Sequence, residues 1–252
     1  SDMVDTAARK NRVMDNLIAD THDRTGDAGS SFKVRERGSL DVQKQSENST
    51  ISNEDLSYDN TEITVDKYGE SVILTTEATE DGRDVDEQDA TEELGEAFAD
   101  SQDQTAYDTL VGNAAIGTTQ LSTAGVFTAD EIIQARAEVR ANKYEADSIV
   151  VHPLLEAEML KIDDFVHADK YGNGGNVDTG EIGRVYDMTV YVSTTANARD
   201  TTGGSGTVQA AFVDSDECLD RLVKRTITVE VDNDVRKDRD VIVGTARWGH
   251  GV

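Results

Sequence analysis

Hydrophobic and polar positions alternate most cleanly at 180–193, GEIGRVYDMTVYVS, where Met188, Val190 and Val192 interleave with Thr189 and Tyr191 behind a glycine-bounded turn. A period of two puts alternate side chains on opposite faces, so this stretch predicts a half-buried β-strand. The tail carries the same signal, with a short strand over 210–214, a helical turn, and alternating strands over 224–230 and 242–249. Upstream the period becomes helical. Over 84–112, Ala90, Leu94, Ala97 and Phe98 fall at i, i+4, i+7 and i+8 with Gly95 as the one internal break, which predicts a helix of about 40 Å with a narrow apolar stripe.

A glycine- and threonine-rich connection, GNAAIGTTQLSTAGVF, marks the boundary to a second lobe. There Thr128 followed by Glu131 predicts a capping box, with Ile132, Ile133, Ala135 and Val139 as the buried helix face. Residues 148–151 read as a continuous apolar strand ended by the chain's single proline, Pro153. Leu155, Met159 and Ile162 then mark a short helix. The elements together predict an α+β fold.

The first third is different. Residues 31–45 and 61–76 read as extended segments joined by the polar stretch SENSTISNEDLSYDN. A two-stranded hairpin this poor in apolar side chains is marginal in isolation and is expected to lean on another chain. Residues 2–20 have helical spacing at Val4, Ala8, Leu17 and Ile18 but too few apolar positions to fold alone. They read either as a frayed terminus or as an arm lying on a neighbouring subunit.

Composition sharpens this picture. The 252 residues suffice for one large or two small domains, yet 37% are hydrophobic and 5% aromatic. Acidic residues number 51 against 24 basic, a net charge of -27. Aspartate outnumbers glutamate, 32 to 19, and arginine outnumbers lysine, 15 to 9. Such a chain repels itself in dilute buffer, whereas the Debye length falls from about 10 Å at 0.1 M to about 3 Å at 1 M salt, so the acidity reads as halophilic adaptation. An acidic calcium-binding or disordered protein is the alternative, and the long periodic segments oppose disorder. The charge is uneven: residues 1–38 carry seven basic and seven acidic side chains, while 41–104 carry 3 basic and 20 acidic.

Cys218 stands alone, so no intrachain disulfide is possible, and beside Leu219 it reads as a small buried residue. No apolar run approaches 18 residues and no signal-peptide core is visible, so a soluble protein made in a cytoplasm is expected, with no membrane partner. Ser1 implies removal of an initiator Met or cleavage of a longer N-terminal piece.

Chemistry-bearing motifs are sparse. The GNGG cluster at 172–175 lacks the preceding strand, following helix and lysine of a phosphate loop. Asp84-Val85-Asp86 and Asp232-Asn233-Asp234 lack the glycine and glutamate of a calcium loop. His152, His167 and Asp169, with His22 and His250 far away in sequence, show no zinc spacing. There is no Gly-x-Ser-x-Gly elbow. No catalytic, cofactor-binding or metal-ligating residue is assigned, no cofactor is expected, and the chain reads as a non-enzyme.

The order of the last elements carries a resemblance. The strand IGRVYDMTVYVS, the strand AAFVD at 210–214, KRTITVE at 224–230 and IVGTARWG at 242–249 together resemble the C-terminal half of tailed-virus major capsid proteins of the Hong Kong 97 fold. The resemblance implies an N-terminal arm over 1–38 and an extended β-hairpin, the E-loop, over 39–80. It further implies a peripheral domain over 81–120 and 219–252 built on a long spine helix, and a compact α+β axial domain over 121–218. Also implied are hexamers and pentamers in an icosahedral shell around double-stranded DNA held without sequence-specific binding, assembly in the host cytoplasm, and portal and decoration proteins as partners. With the acidity, a virus of a salt-loving host, a haloarchaeon, is expected. Some members cross-link an E-loop lysine to a neighbour's asparagine beside a buried glutamate. Lys44 or Lys67 with Asn233 and Glu230 are the positional candidates, but Lys44 lies between two glutamines with nothing apolar to desolvate its amine, so no site is assigned. The alternatives are a halophilic α+β hydrolase or binding domain, and a secreted acidic surface-layer protein. The first eighty residues are expected to borrow surface from other copies.

Overall fold

The computed structural model describes residues 12–80 apart from 39, 41, 43, 49, 52 and 54, together with 87–112, 128–161, 181–194 and 210–252. A 3-10 turn at Met14–Leu17 leads into β1 (Asp20–Asp23), β2 (Ser31–Arg37), β3 (Tyr58–Thr64) and β4 (Asp66–Thr75). Then come α1 (Thr76–Glu80), the long α2 (Glu87–Gly112), α3 (Ala129–Ala141), β5 (Ser148–Val151) and α4 (Pro153–Met159). The chain ends with β6 (Glu181–Val185), β7 (Met188–Val192), β8 (Ala211–Val213), β9 (Asp220–Asp234) and β10 (Arg239–Gly251).

Three sheets organise these elements. The first has the order β1-β9-β10-β4, the second is the β2-β3 hairpin, and the third has the order β6-β7-β5-β8. Strand β10 is the centre of the first, antiparallel to both β9 and β4, while β1 runs parallel to β9. Alternation along β10 buries Ile242, Gly244, Ala246 and Trp248, and α2 lies across that face. Ala90 and Leu94 pack with Ile242, Val72 and Leu74, and Phe98 and Ala99 pack with Ile227, Ala246 and Trp248. Trp248 is the hub, stacked on Tyr68 with ring centroids 3.9 Å apart and edge-on to Phe98 at 6.1 Å. Its indole N–H donates to Thr105 Oγ1 at 3.1 Å, which satisfies the polar end of an otherwise buried ring.

The buried stripe turns around α2 as it runs. Its second half, through Ala106, Tyr107 and Leu110, faces Met14, Leu17, Val150, Val213 and Leu219. Ala97 lies off that drift and is exposed, whereas Ala99 is buried, the reverse of what the spacing predicts for Ala97. The third sheet is covered on both sides. Ile149, Val151, Met188 and Val190 face Ile132, Val139, Leu155 and Met159 of α3 and α4, while Val150 and Tyr191 face the cluster around Tyr107. Thr128 precedes α3 as predicted, its backbone N–H donating to Glu131 Oε2 at 2.8 Å, but Ile133 is exposed because the face is set by Ile132 and Val139.

The Tyr107 hydroxyl is buried with no hydrogen-bond partner among the described residues, and burial pushes its pKa up to about 12. Leaving a buried hydroxyl unpaired costs free energy that an apolar isostere avoids, so Tyr107→Phe should raise stability by about 1 kcal/mol in urea unfolding. A variant less stable than the parent would mean that the hydroxyl has a partner after all.

Three expectations need correction. The stretch read as a turn feeding one strand is, over 181–192, a complete hairpin of β6 and β7; Tyr186 and Asp187 both take left-handed φ, 49° and 68°, as a two-residue turn of the primed type requires. The segment over 61–76 divides at Val65, with β3 pairing back to β2 and β4 joining the main sheet on β10. The break follows from burial: Ile63 and Val65 are both buried beside Leu222, so the chain is pinned where the two pairings part. And the described part of the N-terminal segment, read as a frayed terminus or an arm on a neighbouring subunit, is a 3-10 turn and a short strand folded onto its own chain, because Met14 and Leu17 fill the gap between α2 and the third sheet. Val4, Ala8 and Ile162 lie outside the described residues.

Candidate intersubunit surfaces

The hairpin of β2 and β3 pairs in register from Ser31 with Thr64 to Arg37 with Tyr58. Its inner face is small: Phe32 and Val34 pack against Ile63, Val65 and Leu222. Two glycines let it cross the main sheet so closely. A Cβ on Gly249 would sit 1.9 Å from the Thr64 carbonyl oxygen, and one on Gly251 would sit 2.5 Å from Ile63 Cγ1. The WGHGV terminus is thus a crossing point where backbone lies on backbone.

Between β2 and β3 the described residues form neither helix nor strand. Leu40, Val42, Ile51 and Leu56 are exposed there, Val42 completely. At the opposite end of the main sheet Val231 and Val235, the latter 83% exposed, flank the β9–β10 turn, and Ile73 is exposed on edge strand β4. In a chain with so little apolar matter, these exposed side chains gather at the β2–β3 connection, at the β9–β10 turn and on an edge strand, which makes them candidates for an interface.

Residues 12–15, by contrast, are held to α2 and β9 by several polar contacts. Asp103 on α2 is buried and accepts from the Val13 and Met14 N–H groups at 2.8 and 3.3 Å. Arg221 Nη1 donates to Asp15 Oδ1 at 2.6 Å, Arg12 pairs with Asp15 at 3.2 Å, and Arg12 also bonds Gln102. Burial raises the Asp103 pKa to about 6, against the lowering effect of the two N–H groups. Burial, helped by Arg221 and Arg12, lowers His250 to about 4.

The residues singled out in the sequence fall apart in space. His152 caps α4, its Nδ1 accepting from the Leu154 N–H at 3.1 Å, and His22 lies 3.4 Å from Asp220. His167, Asp169, the 172–175 glycines and Asp84-Val85-Asp86 lie outside the described residues. Among the described residues no three His, Cys, Asp or Glu side chains converge as a metal site would require. Cys218 is half-buried, its thiol donates to the Leu17 carbonyl at 3.1 Å, and burial pushes its pKa up to about 12, which keeps it an inert thiol. Lys67 is opposite Arg247 on β10, whereas Asn233 bonds Asp240 at the far end of that strand, and Glu230 is exposed on its own subunit. Sequence reasoning missed Asp103 and Arg221 altogether and weighed His250 only as a metal ligand; the glycine pair of WGHGV was the one signal of close backbone approach at that junction.

Comparison with known proteins follows the same lines. A family model described as phage capsid protein matches residues 59–252. The capsid structure of cyanophage P-SCSP1u superposes with a TM-score of 0.68 at 14% identity, covering 96% of this chain and 84% of that one. Mycobacterium phage Adephagia gives 0.68 at 13% identity, with 95% and 83% covered. A virus-like particle from Pyrococcus furiosus gives 0.66 at 12% identity, with 100% and 92% covered. No curated protein sequence matches. At such identities the structural likeness carries the fold.

Proposed function

Starting from the fact that this chain belongs to the phage capsid protein family, we propose that it is the major shell subunit of a tailed virus, assembling as hexamers and pentamers into an icosahedral shell of the Hong Kong 97 type around double-stranded DNA. The role is structural, a shell protein of the virion. The observation that carries the assembly reading is the exposed apolar side chains Leu40, Val42, Ile51 and Leu56 between β2 and β3 and Val231 and Val235 at the β9–β10 turn, on a chain whose buried apolar side chains form several small cores. In this reading 1–38 is an arm and 39–80 the E-loop. Residues 81–120 with 219–252 form the peripheral domain, and 121–218 form the axial domain at the capsomer centre. Residues 14–23 qualify the arm, since they are spent on the subunit's own core.

The charge of -27 supports a salt-loving host, a haloarchaeon, because only concentrated salt screens many such subunits held side by side. A wall of this sign confines DNA without gripping it, and portal and decoration proteins complete the particle. Electron microscopy with light scattering of the purified chain tests both parts. Shells or hexameric rings are expected at about 3 M salt and should dissociate towards about 0.1 M as the screening length grows to about 10 Å. Particles indifferent to salt would remove the halophilic part of the reading; no particles or rings at any salt would remove the shell.

A further inference from the structure

On this strongly acidic subunit one cleft is basic. It has a volume of about 350 Å³ and lies between the 3-10 turn, α2 and β9, with Arg12, Arg221 and Arg225 set against the single carboxylate Asp15. Val223, Ile227 and Trp248 form its apolar wall. Asp15 is engaged by Arg12 and Arg221. Arg225 makes no ion pair among the described residues, and its Nε is buried without a hydrogen-bond partner. The backbone there is also irregular. Between the pairs Thr245 with Thr228 and Trp248 with Val223, β9 spends five residue steps against three on β10, two extra residues that bulge around Arg225. Bulges re-aim side chains and recur at functional positions.

An under-used guanidinium beside an apolar wall matches a carboxylate on a short aliphatic stem, which the planar fork grips with two parallel N–H groups. We propose that this cleft receives an aspartate or glutamate side chain from a second copy of the chain, using Arg225 as the fork and Trp248 and Ile227 as the floor. Charge complementarity points to the donor. Each copy carries 51 acidic side chains, and the cleft's three arginines face one carboxylate that is already engaged. The proposal rests on the shell reading above.

Trp248 is the chain's one tryptophan, so its emission reports on the cleft directly. Unassembled full-length subunits at fixed salt are titrated with N-acetyl-glutamyl-leucine amide, with the glutaminyl analogue, and with a short oligothymidylate. A saturable emission change is expected with the glutamyl peptide alone, lost in Arg225→Gln and weakened in Arg225→Lys. An equal response to the glutaminyl peptide, or one unchanged in Arg225→Gln, would overturn the proposal, and a stronger response to the oligonucleotide would reassign the cleft to phosphate. In assembly, Arg225→Gln should raise the critical subunit concentration about tenfold or more while leaving the subunit's melting temperature unchanged. Shells forming at the parental concentration would sink the inter-copy role and leave the shell reading intact. If the parent chain forms no shells at all, the shell reading and the second copy as donor fall together, and the emission titration still decides whether the cleft takes a carboxylate.

Discussion

Gly249→Ala should lower the stability of the subunit by about 3 kcal/mol, the upper end of what overpacking at a rigid site produces. The new methyl would stand 1.9 Å from the Thr64 carbonyl oxygen and 2.9 Å from its carbon, so it meets backbone, and β3 can yield only by lifting off Leu222 and exposing Ile63 and Val65. Two controls separate this from a general intolerance of side chains. Gly244→Ala places its methyl 2.5 Å from Phe98 Cε2, the far end of a ring able to shift, and should cost about 1 kcal/mol. Gly112→Ala, at the end of α2 with nothing within 4 Å, should be neutral or slightly stabilising, because alanine restricts the unfolded chain. Urea unfolding of the three variants checks the ranking. If Gly249→Ala proves as mild as Gly112→Ala, the hairpin does not cross the sheet as described.

The second large effect is a pH dependence that the parent chain conceals. Asp103 titrates near 6 in the folded subunit against an ordinary 3.8, so its contribution to stability is complete below about 4 and is lost as pH rises through about 6. His250 titrates near 4 against an ordinary 6.5, so the unfolded chain binds a proton that the folded chain refuses, and stability is lost as pH falls from about 6.5 to about 4. Between about 4 and 6 the two slopes oppose each other, each approaching 1.4 kcal/mol per pH unit, roughly the energy of one pKa unit. Asp103→Asn should therefore make the subunit lose stability on acidification relative to the parent, and His250→Gln should make it gain. The comparison with the parent removes the contribution of the other carboxylates. Unfolding midpoints measured at pH 4, 5 and 6 settle it, and parallel curves for all three chains would contradict the assignment. The physical content is that both groups close the same junction, where the N-terminal segment meets α2 and the end of β10.

Local periodicity carried far. The alternation at Met188, Val190 and Val192, the helical spacing from Ala90 to Phe98, and the cap at Thr128 each depend on near neighbours and on which side of one element is apolar. Those quantities are written directly in the chain. Pairing partners are not. Whether the stretch after Val65 belonged to a hairpin or to the main sheet turned on β10, some 180 residues away, and nothing local distinguishes one antiparallel neighbour from another. Burial was legible on average and failed at single residues: Ala97 and Ile133 fit their helical stripes but point past the surfaces actually covered. The basic cleft was beyond reach, since Arg12 lies some 200 positions from Arg221 and Arg225 and becomes their neighbour only when β1 settles beside β9.

By itself, then, the amino-acid order determined the kinds of element, their succession, the resemblance of the closing strands to capsid subunits, and a net charge of -27. Tertiary structure alone decided that Met14 and Leu17 serve their own chain's core, that glycines at 249 and 251 let one sheet cross another, and that Arg12, Arg221 and Arg225 meet in one cleft of an acidic chain. The division has a single cause: periodicity and charge are sums over neighbours along the chain, whereas crossings, anchors and clefts form between residues that only folding brings within contact distance.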